Sequence, residues 1–214
     1  WWFPLFPELT AADYRIVAPD LPGFGRSPGR PLPFDEAALS LIKLADRLGL
    51  DEFFLGGHSM GGAVAAQMAA DHPGRVRRLV LINSAGIWRA AGRRAFGRLL
   101  QPWSWCPPWF YPTLIGDMMR AGPRSLMAAS RYLRLYDIRP TLERVQAPTL
   151  IIWGEQDRLT PLDHGRDMAR AHPNARLEKI PGARHLPMVS EPETVARLMM
   201  EFFADSPPAE GRGE

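Results

Sequence analysis

The stretch Phe53-Phe54-Leu55-Gly56-Gly57-His58-Ser59-Met60-Gly61-Gly62-Ala63-Val64-Ala65 constrains this chain more than any other. An apolar run of strand length leads into it, and a helix-forming run of Ala, Met and Gln leads out. Gly57-x-Ser59-x-Gly61 lies at the junction. That strand–turn–helix context presents a serine on a sharp, strained turn. Strand and helix come so close that the positions two before and two after the serine are expected to have no room for a side chain. Ser59 then stands at the tip, with the helix N-terminus behind it and the Met60 amide aimed where an oxyanion would form. The competing reading is a Gly/Ser-rich loop that only closes a βα unit. His58 adjoins the serine and so points elsewhere on the turn; packing is its expected role, not proton transfer.

Around this turn, strands alternate with helices. Tyr14–Ala18 reads as a strand, followed by the tight loop Pro19–Ser27. Asp35 is expected to cap a helix in which Ala38, Leu41, Ile42, Ala45 and Leu48 recur at helical spacing, and Gly49 ends it. The helix after Ser59 runs to about Asp71, where His72-Pro73-Gly74 stops it. Val76–Asn83 and Ala147–Trp153 are strands apolar on both faces, as buried parallel strands are. Thr160 and Pro161 open a helix, Arg176–Ile180 is a short strand, and Ser190-x-x-Glu193 is a capping box for a last helix. This order predicts an α/β fold, a mostly parallel sheet with helices on both faces. The core is expected at residues 1–84 and 146–205. Residues 85–145 break the alternation and read as an inserted helical lid, broken near Pro107-Pro108. Its aromatics, among them Trp88, Phe96, Trp103, Trp105, Trp109, Phe110, Tyr132 and Tyr136, either line a pocket or glue the lid to the core. Residues 206–214 read as a disordered tail.

Composition narrows the classes. A net charge of +3 is too small to argue for nucleic acid as partner. No apolar run reaches membrane-spanning length. The arginine-rich lid reads as a solvated face, with an anionic lipid surface as the lesser reading. The single cysteine, Cys106, excludes an internal disulfide and fits a reducing, cytoplasmic compartment. No signal peptide is visible, and Trp1 is not a start methionine, so the chain is expected to be part of something longer. Nothing in the sequence speaks to oligomeric state.

A serine nucleophile needs a base within hydrogen-bond reach and an acid to orient that base. Open α/β sheets place such groups on loops at the C-terminal ends of their strands. Asp157 follows the strand ending at Trp153, and His185 follows the strand ending at Ile180. The competitors are weaker. His72 and His172 precede prolines at helix ends, His164 lies inside a helix, and Glu155 is nearer its strand end than Asp157. The loop after Val76–Asn83 offers Asn83 and Ser84 but no carboxylate. No cluster has metal-ligand spacing, and the chemistry needs no cofactor.

These pieces resemble the α/β-hydrolase superfamily. The resemblance rests on Ala18-Pro19-Asp20-Leu21-Pro22-Gly23-Phe24-Gly25-Arg26-Ser27, Gly57-His58-Ser59-Met60-Gly61-Gly62, Arg77–Asn83, Pro148–Asp157 and Gly182-Ala183-Arg184-His185. It implies a Ser59–His185–Asp157 triad with Met60 as an oxyanion donor. It also implies a serine hydrolase acting on an ester, thioester or lactone of a small to medium apolar acyl group. Carbon–carbon hydrolysis of ring-fission products and acyl transfer are alternatives on the same triad, and a non-catalytic binding protein is the rival from another class. Serine at 59 argues against the dehalogenase and epoxide-hydrolase branches, which carry aspartate there. One departure stands out. The family's His-Gly loop, source of a second oxyanion donor, would precede Trp1, and the fold's first three strands are expected to be missing. Tyr14–Ala18 would then either pair directly with Phe53–Gly57 or float at a gap, leaving the fragment marginally stable and nearly inactive.

Overall fold

Leu79, Val80, Leu81 and Ile82, with Leu150, Ile151, Ile152 and Trp153, are all 0% exposed in the computed structural model, which describes residues 1–87 and 106–205. Two runs buried at every position can only be strands covered on both faces. They are the inner pair of a parallel sheet of β1 (Phe53–His58), β2 (Val76–Ile82), β3 (Thr149–Gly154) and β4 (Ala175–Ile180), adjacent in that order. Leu79–Ile82 register with Thr149–Ile152, and Gly57 and His58 with Leu81 and Ile82. All four strands therefore finish along one edge.

The helices among the described residues are α1 (Phe6–Ala11), α2 (Phe34–Arg47), α3 (Met60–Asp71), α4 (Tyr111–Leu135), α5 (Arg139–Arg144), α6 (Leu162–Ala171), α7 (Pro187–Ser190) and α8 (Pro192–Ala204). Strand alternation divides the core. Val80, Ile82, Leu150 and Ile152 pack with Leu5 and with Val195, Met199 and Phe203 of α8. Leu79, Leu81, Ile151 and Trp153 pack on the other face, with Ala65 and Ala69 of α3, Leu142 of α5 and Met168 of α6. Each such aliphatic side chain contributes about 1.5–3 kcal/mol by leaving water. The outer side of α3 meets α2, where Ala63, Val64 and Met68 pack with Phe34, Ala38 and Ile42. Being covered on both sides, α3 is apolar all round, which is why its sequence carries so little charge.

Three local expectations are corrected. Tyr14–Ala18 forms no strand. Tyr14 meets Phe54 and Phe203 edge-on and Ile16 packs on the same cluster, so side-chain docking satisfies its apolar pattern without a ladder. Of the two outcomes expected for this segment, the unpaired one is present, and β1 is an edge strand among the described residues. Asp35 does not cap α2; Pro33 occupies that position and Asp35 lies in the first turn, where its charge favours the helix dipole. The Ser190–Glu193 capping box does not form. Ser190 closes α7, Glu191 takes the cap position of α8, and Pro192 at the first helical position has no N–H to cap. Pro107 and Pro108 open a helical turn at Pro108–Phe110, and the chain on the other side of the break expected there lies outside the described residues. The described break is inside α4, where Gly122 has φ 71° and ψ 167° ahead of Pro123, because a proline drives the residue before it out of helical conformation.

Phe110 is buried in the main core and Tyr136 packs edge-on against Phe34, so both glue this region to the rest, while Trp109 is 57% exposed. Trp88, Phe96, Trp103, Trp105 and the expected tail 206–214 lie outside the described residues. Among those that are described, no helix is long and apolar enough to cross a membrane.

Candidate active site

Ser59 follows the last residue of β1 and precedes the first of α3. Its backbone sits at φ 50° and ψ −121°, a conformation costing a non-glycine residue about 1–3 kcal/mol. Three main-chain bonds hold it there. Its N–H donates to Ile82 O (3.1 Å), and its carbonyl accepts from the N–H groups of Gly62 (3.0 Å) and Ala85 (2.9 Å). The expected crowding is half right. A Cβ on Gly57 would fall 2.5 Å from Gly61 O and 2.7 Å from the Ala65 Cβ. Gly61, however, faces open space. The crowded partner is Gly62, where a Cβ would sit 2.3 Å from Ser84 Oγ, because the loop after β2 presses on the first turn of α3. Met60 opens α3, so its N–H belongs to the first turn, whose donors have no partner within the helix.

The loops after β3 and β4 bring the other two predicted residues to this turn. His185 Nε2 is 3.1 Å from Ser59 Oγ, and His185 Nδ1 is 2.8 Å from Asp157 Oδ2. Asp157 and His185 are both buried. Burial alone would raise the Asp157 pKa. The attraction of His185 and the hydrogen bonds from His185, Thr160 and Asn83 outweigh it and hold the carboxyl down at about 2. An ionised carboxylate can only accept, so Nδ1 carries the proton and Nε2 of neutral His185 is left to accept from the serine hydroxyl.

Two members of this arrangement escaped the sequence reading. Thr160 donates to Asp157 Oδ2 through its hydroxyl, and the N–H groups of Leu159 (2.7 Å) and Thr160 (3.0 Å) donate to Oδ1. An Asp with a Thr three residues later is a local turn signal that would have pointed to it. Asn83, set aside for lacking a carboxylate, is the other. At φ 41° it donates through Nδ2 to Asp157 Oδ2 and accepts from Gly154 N–H at 3.1 Å. It ties the end of β2 to the acid and to the end of β3. Its place one residue past an inner strand was the available signal.

Of the rejected candidates, Glu155 and His172 lie elsewhere, and His58 stands beside His185. Glu155 is at the surface, 3.6 Å from Lys179. His172 Nε2 bonds Thr149 Oγ1 at the start of β3, the far end of the sheet from Ser59. His58 is buried and its Nε2 lies 2.8 Å from the His185 carbonyl oxygen. Among the described residues, no group of His, Cys, Asp or Glu is arranged to hold a metal ion. Beside the turn lies an apolar pocket lined by Leu21, Phe24, Phe34, Met60, Val64 and Tyr132 among others. The loop carrying Leu21 and Phe24 is held by Asp20, which accepts from Arg26 N–H at 2.9 Å.

Comparison with known proteins places the chain in a family. The profile of the alpha/beta hydrolase family matches residues 1–198. The chain is 29% identical to 2-hydroxy-6-oxo-6-phenylhexa-2,4-dienoate hydrolase of Burkholderia cepacia, over 92% of this chain and 79% of that protein. It is 30% identical to poly(3-hydroxyalkanoate) depolymerase of Ectopseudomonas oleovorans, over 94% and 78%. Among solved structures, a thermophilic esterase from Thermogutta terrifontis superposes with a TM-score of 0.76 at 27% identity, over 95% and 84% of the two chains.

Proposed function

Because the chain belongs to the alpha/beta hydrolase family, we propose that it is a serine hydrolase whose nucleophile is Ser59, whose base is His185 and whose orienting acid is Asp157. The observation that carries this reading is the continuous pair of contacts, 3.1 Å from Ser59 Oγ to His185 Nε2 and 2.8 Å from His185 Nδ1 to Asp157. Ser59 Oγ attacks the acyl carbon as His185 Nε2 takes its proton. The carbonyl oxygen becomes an oxyanion facing the Met60 N–H, and His185 then returns the proton to the leaving group. Water enters, His185 deprotonates it, and the acyl-enzyme is hydrolysed.

The substrate proposed is an ester, thioester or lactone with a small to medium apolar acyl group. Its support is the apolar character of the side chains beside Met60, the residue after the nucleophile, which line a narrow cleft with room for little more than a water as it stands. Residues 85–145 are proposed as a cap over this pocket, supported by Ala129 and Tyr132 of α4 in its wall. Carbon–carbon hydrolysis of a ring-fission product is the second reading, favoured by the likeness to the dienoate hydrolase of Burkholderia cepacia.

A fluorophosphonate probe with peptide mapping tests the nucleophile. Labelling should fall on Ser59 and vanish in Ser59→Ala, with turnover falling by about 10⁶. Labelling that survives in Ser59→Ala overturns the assignment. A panel of p-nitrophenyl esters from acetate to octanoate, run beside a 2-hydroxy-6-oxo-dienoate, separates the two substrate readings.

A further inference from the structure

His58 adjoins the nucleophile in sequence, yet its side chain serves the base. Its ring lies against the His185 ring, with centroids 4.9 Å apart and planes tilted by 58°. On another side it meets the Trp1 ring at 6.1 Å. Its Nε2 is 2.8 Å from the His185 carbonyl oxygen. A carbonyl can only accept, so Nε2 carries the proton and the bond is donated by His58. Burial, and then the neighbouring His185, push the His58 pKa down to about 3, so the ring stays uncharged wherever such an enzyme works. A cation here would oppose the imidazolium that His185 becomes in each half-reaction.

The bond is one of three in a row. Ala183 O accepts from Gln156 N–H at 2.9 Å, Arg184 O from Asn83 Nδ2 at 3.3 Å, and His185 O from His58. Three consecutive carbonyls of the loop after β4 are thus gripped by donors from the ends of β3, β2 and β1. The Asp157 bond orients the His185 ring. The carbonyl bonds fix where that ring is hung. Of the three, only the His58 bond links the His185 main chain directly to the strand that carries Ser59.

We propose that His58 is a positioning residue, a neutral donor that pins the His185 carbonyl and so sets the distance between His185 Nε2 and Ser59 Oγ. This rests on the serine hydrolase reading and assigns that site a further member. It contacts no substrate. A displacement of about 1 Å in a reacting group costs about 10²-fold in rate, so losing this tether acts on turnover and leaves binding in the apolar pocket nearly intact.

The test compares His58→Phe, which keeps a ring and removes the donor, with His58→Gln, whose amide can donate to the same carbonyl. The assays are hydrolysis of p-nitrophenyl butyrate and the rate of fluorophosphonate labelling at Ser59. His58→Phe is expected to lower kcat and the labelling rate by about 10- to 100-fold with KM within about threefold. His58→Gln is expected to recover both to within about threefold of wild type. Wild-type kcat in His58→Phe, or equal losses in the two variants, overturns the proposal. A wild type that is not labelled at Ser59 overturns the hydrolase reading itself, a distinct result. If the variants do not fold, the imidazole 15N spectrum of the wild type decides. A neutral Nε2–H tautomer of His58 from pH 5 to pH 8 is expected, and an Nδ1–H tautomer or a titration inside that range overturns the assignment.

Discussion

Ser59 holds a costly backbone conformation because its neighbours leave it no other, and the two glycines after it divide that duty unequally. Gly62 is pressed by Ser84, whereas Gly61 faces open space. Gly62→Ala should therefore destabilise the fold by about 1–3 kcal/mol through overpacking. Gly61→Ala should leave the melting temperature unchanged or raise it, since alanine is the better helix residue by up to about 1 kcal/mol. Thermal melts of both variants check this, and equal losses would refute it. The same close reading separates the two carboxylates after β3. Asp157 is buried and accepts from His185, Asn83 and Thr160, whereas Glu155 pairs with Lys179 at the surface. Asp157→Asn should place the His185 proton on the wrong nitrogen and lower kcat by about 10⁴. Glu155→Gln should change kcat by less than about twofold, as surface ion pairs contribute little. Ser59, Asp157 and His185 were legible as candidates because residue type at strand ends marks them, and the structure brings the three together. The sequence hid Asn83, Gly62 and the service of His58 because those depend on which loops touch, and contact between loops has no period to read.

Elements were legible wherever burial wrote a pattern. The runs on β2 and β3 are apolar at every position because both faces are covered, and α3 carries almost no charge because it is enclosed between the sheet and α2. Tyr14–Ala18 misled because an apolar alternation reports where side chains are buried, not whether the backbone finds a partner. Helix starts misled for a similar reason. A Ser three residues before a Glu marks a cap only if the intervening backbone is helical, and Pro192 begins α8 one residue too late for Ser190. Ser190 Oγ is instead buried with no hydrogen-bond partner among the described residues. A true cap loses about 1 kcal/mol when cut to alanine. Ser190→Ala should lose nothing measurable, or gain, because it removes an unsatisfied hydroxyl. Urea denaturation midpoints decide between the two, and a loss near 1 kcal/mol would restore the capping box.

At the scale of the whole molecule, acid sensitivity follows from what the folded state refuses to protonate. Folded His58 stays neutral down to about pH 3, while in the unfolded chain it takes a proton from its usual 6.5. Between those values the unfolded state binds more protons. The contribution is therefore complete above pH 6.5 and is lost as pH falls towards 3, at about 1.4 kcal/mol per pH unit for one proton. Asp157 adds its own loss in the narrower window between 3.8 and about 2. Urea midpoints should fall between pH 6.5 and pH 4.5, and fall less steeply in His58→Gln; equal slopes would show that other groups set the dependence. The placement of the three site residues has a second consequence, for time. Ser59 and His185 are 126 residues apart in sequence, and Asp157 and Asn83 are 74 apart. Contacts of such span close late, after local helices have formed. In refolding from urea, helical circular dichroism should return before the capacity to react with a fluorophosphonate. Reactivity at Ser59 would thus serve as a chemical clock for the last step of assembly, sounding only when four strand ends have met.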